Sequence, residues 1–309
     1  MWFQNLRVYQ FTKPFILEPE DLELAMEQYR VVPCGSHEKS RYGWTSPLGE
    51  DSDMLIHVSG CCIMICSQKQ EKLLPTTIVT DAANERILEL EKRQGDRVSG
   101  KQKRRIREDI FMELLPRAFV RNQQIFAYID TTENVLVVNS SSANKSEELL
   151  NLLRETLGSL PVEMLDPQKA PSELMTLWLR ERKASDNFVI DEDCELFCPL
   201  IANNTVRLKG QDLQGDEIGT LLDAGKKVKM LGVTWNSYIS CCLCDDLTIK
   251  RLRFIGIGET QEQVESAVDR FDQDFSVMTV QLQKFINALY SVFGVIKLYF
   301  RKSVILNLR

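Results

Sequence analysis

Apolar and polar positions in the first 75 residues follow the periods of strands and of one helix. Residues 6–11 alternate with the two-residue period of a strand, and residues 54–67 supply a strand hairpin that turns at Ser59-Gly60. Between them, residues 18–29 form an amphipathic pattern with acidic side chains in the first turn, which the helix dipole favours. The start of the chain is therefore predicted to be mixed α/β.

The pattern changes to a helical period between residues 76 and 115. Apolar side chains form two stripes, one before and one after the glycines at 95 and 100: Val79, Ala83, Ile87 and Leu90, then Ile106, Ile110 and Leu114. Two amphipathic helices joined by a glycine-containing turn predict a helical hairpin. We call residues 76–119 the finger, because helices of roughly 15 residues would extend about 22 Å from the rest of the protein.

Strand and helix patterns resume after the finger. Residues 124–129 and 135–139 predict a second hairpin, and residues 145–157 predict a helix that ends at Gly158. Beyond Pro171, helices are predicted at 172–182 and 213–224, short strands at 188–190, 205–209, 226–240 and 247–255, and two final helices at 260–275 and 279–293.

These elements predict an α+β fold, a mixed chain of several domains. Residues 1–75 and 120–170, completed by 260–309, would form a central α/β domain. The finger is inserted into this domain, and residues 171–259 would form a β-rich base domain. With 309 residues, the chain is long enough for more than one core.

Basic side chains are concentrated at the end of the finger, although the protein as a whole is acidic. Residues 92–107 carry a net charge of +7, whereas the whole chain carries −6. The basic residues are Lys92, Arg93, Arg97, Lys101, Lys103, Arg104, Arg105 and Arg107. This segregation indicates a polyanionic partner such as nucleic acid. The alternative is a solvated hairpin whose charges only keep the protein soluble.

Further basic residues lie in two predicted strands of the base domain: Lys226, Lys227 and Lys229, then Lys250, Arg251 and Arg253. If these strands pair, they present a basic ribbon to phosphates, whereas the alternative is the ordinary polar face of a half-exposed sheet. No helix-turn-helix, zinc-finger or RNP motif is present to read bases. Any DNA binding is therefore expected to depend weakly on sequence and strongly on salt.

Nine cysteines raise the question of disulfides or a metal site. An odd number in a long chain argues against a secreted disulfide framework. Cys61-Cys62 and Cys241-Cys242 belong to strand-like stretches, where neighbouring side chains point to opposite faces and would not share one metal ion. We expect buried, reduced thiols and no bound metal. Without a secretory signal or an apolar run of 18 residues, the expected location is cytosolic, without membrane contact.

Catalytic motifs are absent from the sequence. It contains no phosphate-binding loop, nucleophile elbow or zinc-protease helix, and its two histidines leave little scope for nucleophilic catalysis. The acidic groups Asp245-Asp246 and Asp191-Glu192-Asp193 could bind Mg²⁺ in a nuclease, which stays an alternative. We also expect Asp245-Asp246 to lie in a turn between strands. The leading expectation is a protein that is not an enzyme and that needs no cofactor.

Several short segments together resemble the bacterial recombination-associated protein family RdgC. They are WFQNL at residues 2–6, PCGS at 33–36, GW at 43–44, LLPRAF at 114–119, LGSLPV at 157–162, and CDD at 244–246 with KRLRF at 250–254. None of them is a chemical motif, but their order and spacing are specific over nearly the whole chain.

This resemblance implies a nucleoid-associated homodimer that closes into a ring around double-stranded DNA and restrains RecA-dependent recombination. It also implies subunit contacts at Phe119, near the finger, and at Gln211 in the base domain, although Gly210 stands where relatives can carry a lysine. Arg117 and Lys209 complete the candidate DNA contacts beside the basic residues named above. An alternative is that the finger is a protein-interaction module that binds RecA or another recombination factor directly.

The C-terminal segment departs from the resemblance. From about Tyr290 onward the family pattern is expected to stop, and residues 295–302 combine apolar and basic side chains. This segment could cover the body as an added helix or strand. Alternatively, it could be an exposed tail that contacts DNA or a membrane surface.

Overall fold

The computed structural model describes residues 2–49, 52–185, 187–256 and 266–297. Over these residues the fold is α+β, as predicted, with two sheets whose strands all pair antiparallel. The helices are α1 (Pro19–Glu27), α2 (Thr76–Gln94), α3 (Gly100–Leu114), α4 (Ala143–Leu157), α5 (Pro171–Glu181), α6 (Asp216–Asp223) and α7 (Ala267–Phe293). The strands are β1 (Arg7–Phe11), β2 (Ser40–Thr45), β3 (Ile56–Ser59), β4 (Cys62–Leu73), β5 (Phe119–Asp130), β6 (Val135–Val138), β7 (Val162–Met164), β8 (Phe188–Phe197), β9 (Thr205–Leu208), β10 (Lys227–Trp235), β11 (Ile239–Cys244) and β12 (Ile249–Phe254).

The central sheet has the order β2-β4-β5-β6-β1-β7, and β3 also pairs with β4. One face packs against α1 and α4, where the apolar stripes of both helices meet Trp44 and the strands in one core. The Trp44 indole Nε1 donates a hydrogen bond of 2.8 Å to the Thr156 hydroxyl, so this fully buried ring has no unpaired donor. The hairpin turn predicted at Ser59-Gly60 is confirmed by the pairing of β3 with β4.

The two strands that flank the finger are longer than predicted. β4 and β5 pair without interruption from Cys62↔Asp130 to Leu73↔Phe119, whereas the sequence indicated strands only to residue 67 and from residue 124. The additional residues are mostly polar and half-exposed or exposed, so they lack the apolar alternation on which the prediction depended. This two-stranded ribbon connects the sheet to the finger.

The finger is a helical hairpin, as predicted. α2 has 19 residues, so it extends about 28 Å at 1.5 Å per residue. It ends at Gly95, whose φ of 76° is the left-handed conformation that glycine adopts without strain. Between α2 and α3, a small core forms around Val79, Ala83 and Ile110. The finger therefore has a hydrophobic cluster of its own, separate from the cores of the sheets.

The base sheet has the order β12-β11-β10-β8-β9. α5 packs against β10, and the Ser172 hydroxyl on α5 donates a hydrogen bond of 2.7 Å to the Val228 carbonyl. The predicted strand at 188–190 is the start of the ten-residue strand β8, whose acidic residues hid its continuation. The predicted strand at 226–240 divides into β10 and β11 at Asn236 and Ser237, which both have positive φ. Asp245-Asp246 lies in the turn between β11 and β12, as predicted.

A single helix, α7, takes the place of the two final helices that were predicted at 260–275 and 279–293. It runs for 27 residues without a break between residues 275 and 279, because Phe275, Met278 and Leu282 continue one buried stripe and no glycine or proline interrupts it. Residues 260–265, where the first of these predicted helices begins, lie outside the described residues. The predicted C-terminal tail lies outside them from residue 298 onward. Val295 forms an isolated bridge with Pro167, so the described end of the chain pairs with the body.

The two sheets share one core. The second face of the central sheet, the base sheet, α5 and α7 contribute side chains to the same buried cluster. Residues 4–6 pair with β12 through backbone bonds such as Leu6 N–H to the Ile249 carbonyl at 2.8 Å. Within the described chain, no helix is both long and apolar enough to cross a bilayer.

Candidate nucleic-acid interface

The end of the finger is held in one conformation by local hydrogen bonds. Ser99 and Gln102 form a reciprocal capping box at the start of α3. Glu91, near the end of α2, accepts a hydrogen bond of 3.0 Å from the Val98 backbone N–H. Val98 itself is buried. These contacts fix the turn between the helices, so the basic residues on both sides of it have a defined spacing.

Most of the basic side chains on the finger are exposed and lack an acidic partner. Seven of the eight residues in the cluster at 92–107 are exposed, and Lys103 is half-buried. Two of them contact carboxylates: Lys103 lies 3.7 Å from Glu91, and Arg104 lies 3.2 Å from Glu108. Within the described chain, no ion pair neutralises the other six, which are Lys92, Arg93, Arg97, Lys101, Arg105 and Arg107. The end of the finger is therefore a concentration of free positive charge.

The dipole of α3 adds to this positive field. Lys101, Lys103 and Arg104 lie in the first turns of α3, whereas a helix N-terminus favours negative charge. This placement is electrostatically unfavourable for the isolated finger, and a bound anion would relieve it. Lys92 and Arg93, in the last turn of α2, have the opposite and favourable placement. At the beginning of α3, the helix dipole therefore adds to the positive charge of the side chains.

The basic strands of the base domain do not form one ribbon. β10 and β12 both pair with β11, which lies between them, so the pairing on which the predicted ribbon depended is wrong. Lys227 and Lys229 do flank the buried Val228, but the register of β10 with β8 shifts between Val228 and Met230, so strict alternation of side chains does not hold at Lys229. On β12, Arg251 has a φ of 52° where the register with β11 shifts, and it is exposed together with Arg253.

Acidic neighbours neutralise much of the charge on the base sheet. Lys227 is paired with Glu173, and Arg251 lies 2.6 Å from Asp193. Glu195, although buried, lies 3.6 Å from Lys229 and 2.9 Å from Arg207, a basic residue that the sequence reasoning missed. Only the register of β8 with its two neighbours, β9 and β10, brings Glu195, Arg207 and Lys229 together. The base sheet is therefore a mixed-charge surface rather than a basic one.

The remaining candidate DNA contacts are dispersed. Arg117, in the short 3₁₀ turn after α3, and Lys209, after β9, are exposed. Lys226 donates a hydrogen bond of 2.6 Å to the Asn204 side chain. Lys250 and Arg253 have no carboxylate within ion-pair distance among the described residues. The densest group of unpaired basic residues is thus on the finger.

Phe119, the expected contact residue, lies at the end of the ribbon that carries the finger. Its side chain is 84% exposed, and its strand partner Leu73 and neighbour Val120 are 41% and 50% exposed. Phe119 and Leu73 are cross-strand partners on one face of the ribbon, whereas Val120 points to the other face, and apolar side chains exposed in this way are costly to leave in water. We call Phe119 and Leu73 the ribbon-end patch.

Gln211, the second expected contact residue, is bonded within its own subunit. Its amide donates a hydrogen bond of 2.6 Å to Glu217, and its backbone N–H donates one of 3.2 Å to the Glu192 carbonyl. Gly210 has a φ of 61°, the left-handed conformation that glycine adopts without strain.

The acidic groups considered for a nuclease are held by internal contacts. Although burial raises its pKa, hydrogen bonds from Thr248 and the charge of Arg7, at 2.8 Å, hold the pKa of Asp246 below its ordinary value. Burial and the charge of Asp246 raise the pKa of Asp245. Asp191 accepts hydrogen bonds from Thr234. None of these acids belongs to a three-residue set of metal ligands in the described chain.

One three-residue set does form in the described chain, and it lies where the sequence reasoning excluded it. Cys61, Cys62 and Asp130 place one ligand atom each within 4.8 Å of one another. Cys61 lies in the turn between β3 and β4 rather than in a strand, so its side chain is not forced to the face opposite Cys62. The argument that neighbouring cysteines diverge is therefore wrong at this position. Asp130 was missed because it comes close only through strand register.

Comparison with known proteins agrees with the resemblance seen in the sequence. The profile of a family described as "Putative exonuclease, RdgC" matches residues 1–296. The match therefore continues past Tyr290, where the resemblance was expected to stop.

Proteins named "Recombination-associated protein RdgC" are similar over nearly their full length. The one from Tolumonas auensis is 41% identical over 297 residues, which cover 95% of this chain and 98% of the relative. The one from Psychromonas ingrahamii is 39% identical with the same coverage. The one from Pseudomonas putida is 38% identical over 298 residues, or 95% of this chain and 97% of the relative. This chain thus belongs to the RdgC family of recombination-associated proteins.

Proposed function

We propose that this protein is a homodimeric ring that holds double-stranded DNA through phosphate contacts and so restrains RecA-dependent recombination. The observation that carries the proposal is the group of six exposed basic side chains on the finger that have no ionic partner in the described chain. Unpaired cations at fixed spacing release counterions from DNA when they bind phosphates, which drives association without reading bases.

The finger is a better candidate for the DNA contact than the base sheet. A cation that is already paired must give up its carboxylate before it binds a phosphate, so Lys227, Lys229 and Arg251 would gain less from DNA. The negative charge of the rest of the chain would keep DNA away from other surfaces. Binding is therefore directed to the end of the finger, with Arg117 as a further contact.

The ribbon-end patch supports the dimer contact. Phe119 and Leu73 are exposed together on one face of the ribbon beside the finger, and an equivalent patch on a second subunit would bury them. The second contact in the base domain would use the loop that contains Gln211. Because closing a second interface within a dimer is intramolecular, each contact strengthens the other.

A ring makes weak phosphate contacts effective. Phosphate binding alone is weak at physiological salt, but a closed ring has to open or slide off an end before it releases DNA. The decisive experiment compares retention on circular and linear duplexes of equal length after a salt challenge. Longer retention on the circle supports the ring, whereas equal retention contradicts it.

A second candidate function is direct docking of the finger on RecA. Exposed apolar side chains on its helices favour this alternative, namely Ile78, Leu88 and Met112. The double variant Arg104→Glu with Arg105→Glu separates the two functions. Loss of DNA retention in a gel shift supports the DNA contact, whereas loss of RecA binding with DNA retention intact supports docking. Incubation with Mg²⁺ and linear or nicked DNA tests the nuclease alternative, which requires degradation.

A further inference from the structure

Two turns of the central sheet bring Cys61, Cys62 and Asp130 together. Cys61 belongs to the turn between β3 and β4, Cys62 is the first residue of β4, and Asp130 is the last residue of β5. The Cys62↔Asp130 pairing in the antiparallel register places the carboxylate beside the two thiols. The group is thus built by a fixed strand pair and not by a mobile loop alone.

The distances in this group suit a metal ion that prefers sulfur. The two sulfur atoms are 4.0 Å apart, and both lie within 4.8 Å of an Asp130 carboxylate oxygen. A tetrahedral Zn²⁺ with Zn–S bonds of about 2.3 Å separates its two sulfur ligands by about 3.8 Å. Small side-chain rotations would therefore place all three ligand atoms around one ion.

The contacts around the group orient the ligands. One Asp130 oxygen, Oδ1, accepts hydrogen bonds of 2.9 Å from the backbone N–H groups of Thr132 and Glu133. Thr131 donates hydrogen bonds from its N–H and its hydroxyl to the Cys61 carbonyl, at 3.0 and 3.1 Å, and so holds the turn against the start of the next loop. Such outer contacts are what a metal site needs to fix its ligands.

The group also has an accessible side. Cys61 is exposed, whereas Cys62 and Asp130 are buried. An ion could therefore enter from solvent and keep a water molecule as its fourth ligand, the arrangement of zinc sites with three protein ligands. Burial raises the pKa of the Cys62 thiol, and the neighbouring carboxylate of Asp130 raises it further, so an approaching cation would offset an existing cost of ionisation.

We propose that Cys61, Cys62 and Asp130 form a binding site for Zn²⁺ or a similar thiophilic divalent ion. Binding releases the two thiol protons to solvent and leaves two thiolates and one carboxylate on the ion, without oxidation of either cysteine. The ion would join the β3–β4 turn to the end of β5. Cys62 faces α7 here, and its thiol lies within hydrogen-bond reach of the Thr279 hydroxyl on that helix. Its expected effect is to stabilise the central sheet at the end opposite the finger.

The test measures metal binding by the full chain. Protein that has been stripped with a chelator under a phosphine reductant is titrated with Zn²⁺ against a chromophoric competitor. One equivalent per subunit is expected, and Cys61→Ser, Cys62→Ser and Asp130→Asn should each lower the affinity about 100-fold or more. Cys61→Ser is the most informative variant, because this residue is exposed in a turn and its replacement leaves the core intact.

Two controls make the outcome decisive. Cys34→Ser and Cys198→Ser remove partly exposed thiols that belong to no ligand group in the described chain, so they should bind Zn²⁺ like the parent protein. In the parent protein, Co²⁺ should produce sulfur-to-cobalt absorption that disappears in Cys61→Ser. Failure of the parent protein to bind Zn²⁺, or equal loss of binding in the control variants, would overturn the proposal. Neither result bears on DNA binding, which rests on the finger.

Discussion

Removal of two free cations from the finger should lower the salt dependence of DNA binding by a predictable amount. Lys101 and Arg105 are exposed, lie four residues apart on α3, and have no ionic partner in the described chain. Replacing both with glutamine removes two positive charges per subunit and keeps residues that favour a helix. The plot of log affinity against log salt should become shallower by about 1.8 per engaged finger, at about 0.9 per phosphate contact.

This slope has a direct consequence for measured affinity. A fourfold increase in salt, from about 50 to about 200 mM, should reduce the affinity of the parent protein about 12-fold more than that of the variant for each finger that contacts DNA. Fluorescence anisotropy with one short duplex at five or six salt concentrations measures both slopes. If both fingers of a dimer contact the same duplex, the change in slope should be about 3.6.

A matched variant separates local contact from net charge. Arg180→Gln with Arg182→Gln removes the same two charges at the end of α5, where the two arginines lie 3.7 Å from Asp223 and 3.0 Å from Asp216. Its slope should equal that of the parent protein. Equal slopes for both double variants would show that net charge governs binding, and an unchanged slope for the finger variant would refute the finger as the DNA contact.

Three further predictions follow from single sites. Phe119→Ala should weaken the dimer and speed DNA release without unfolding the subunit, because the side chain is 84% exposed. Sedimentation at several protein concentrations measures the strength of the dimer, and release kinetics measure the loss of DNA. A Cβ on Gly43 would lie 2.5 Å from the Tyr29 carbonyl oxygen, so Gly43→Ala should destabilise the protein by about 1–3 kcal/mol, as measured by urea unfolding. The control is Gly219→Ala, which should be neutral or stabilising because a Cβ at this helical position would meet no atom within 4 Å. The pKa of Asp246 is depressed, so its ion pair with buried Arg7 stabilises the protein at neutral pH and loses that contribution as the pH falls through the folded-state pKa. Asp246→Asn should therefore cost about 1–2 kcal/mol at pH 7, a value reduced by the partial exposure of Asp246, and progressively less as the pH is lowered below 3.8, the ordinary pKa of an aspartate. Thermal unfolding across this pH range tests the prediction, and a loss of stability that does not change with pH would contradict it.

The finger could be predicted from the sequence because its determinants are local. The apolar stripes have the helical period, Gly95 ends one helix, and Ser99 with Gln102 begins the next. Each of these signals acts within four residues along the chain. The positive charge of the finger could also be predicted, because a run of lysines and arginines is positively charged whatever residues the fold brings near it. The family resemblance followed from short segments, which the comparisons confirmed.

The properties of the base sheet depended on contacts between distant residues. Whether Lys229 and Arg251 are free or neutralised depends on Glu195 and Asp193 of β8, which are distant in the sequence and meet them only in the folded protein. The position of β11 between β10 and β12 likewise follows from strand order, which alternation of side chains cannot reveal. The sequence therefore indicated the charges correctly but not their partners.

The sequence by itself determined the α+β class, the helical finger, its positive charge and the family. Only the tertiary structure decided that the two sheets share one core, that the base sheet carries mixed charge, and that Cys61, Cys62 and Asp130 meet. The physical reason is the distance along the sequence over which each kind of interaction acts. Helix periods, caps and charge runs are properties of neighbouring residues, whereas strand order, ion pairing and ligand geometry arise from residues that the fold brings together across tens to hundreds of positions.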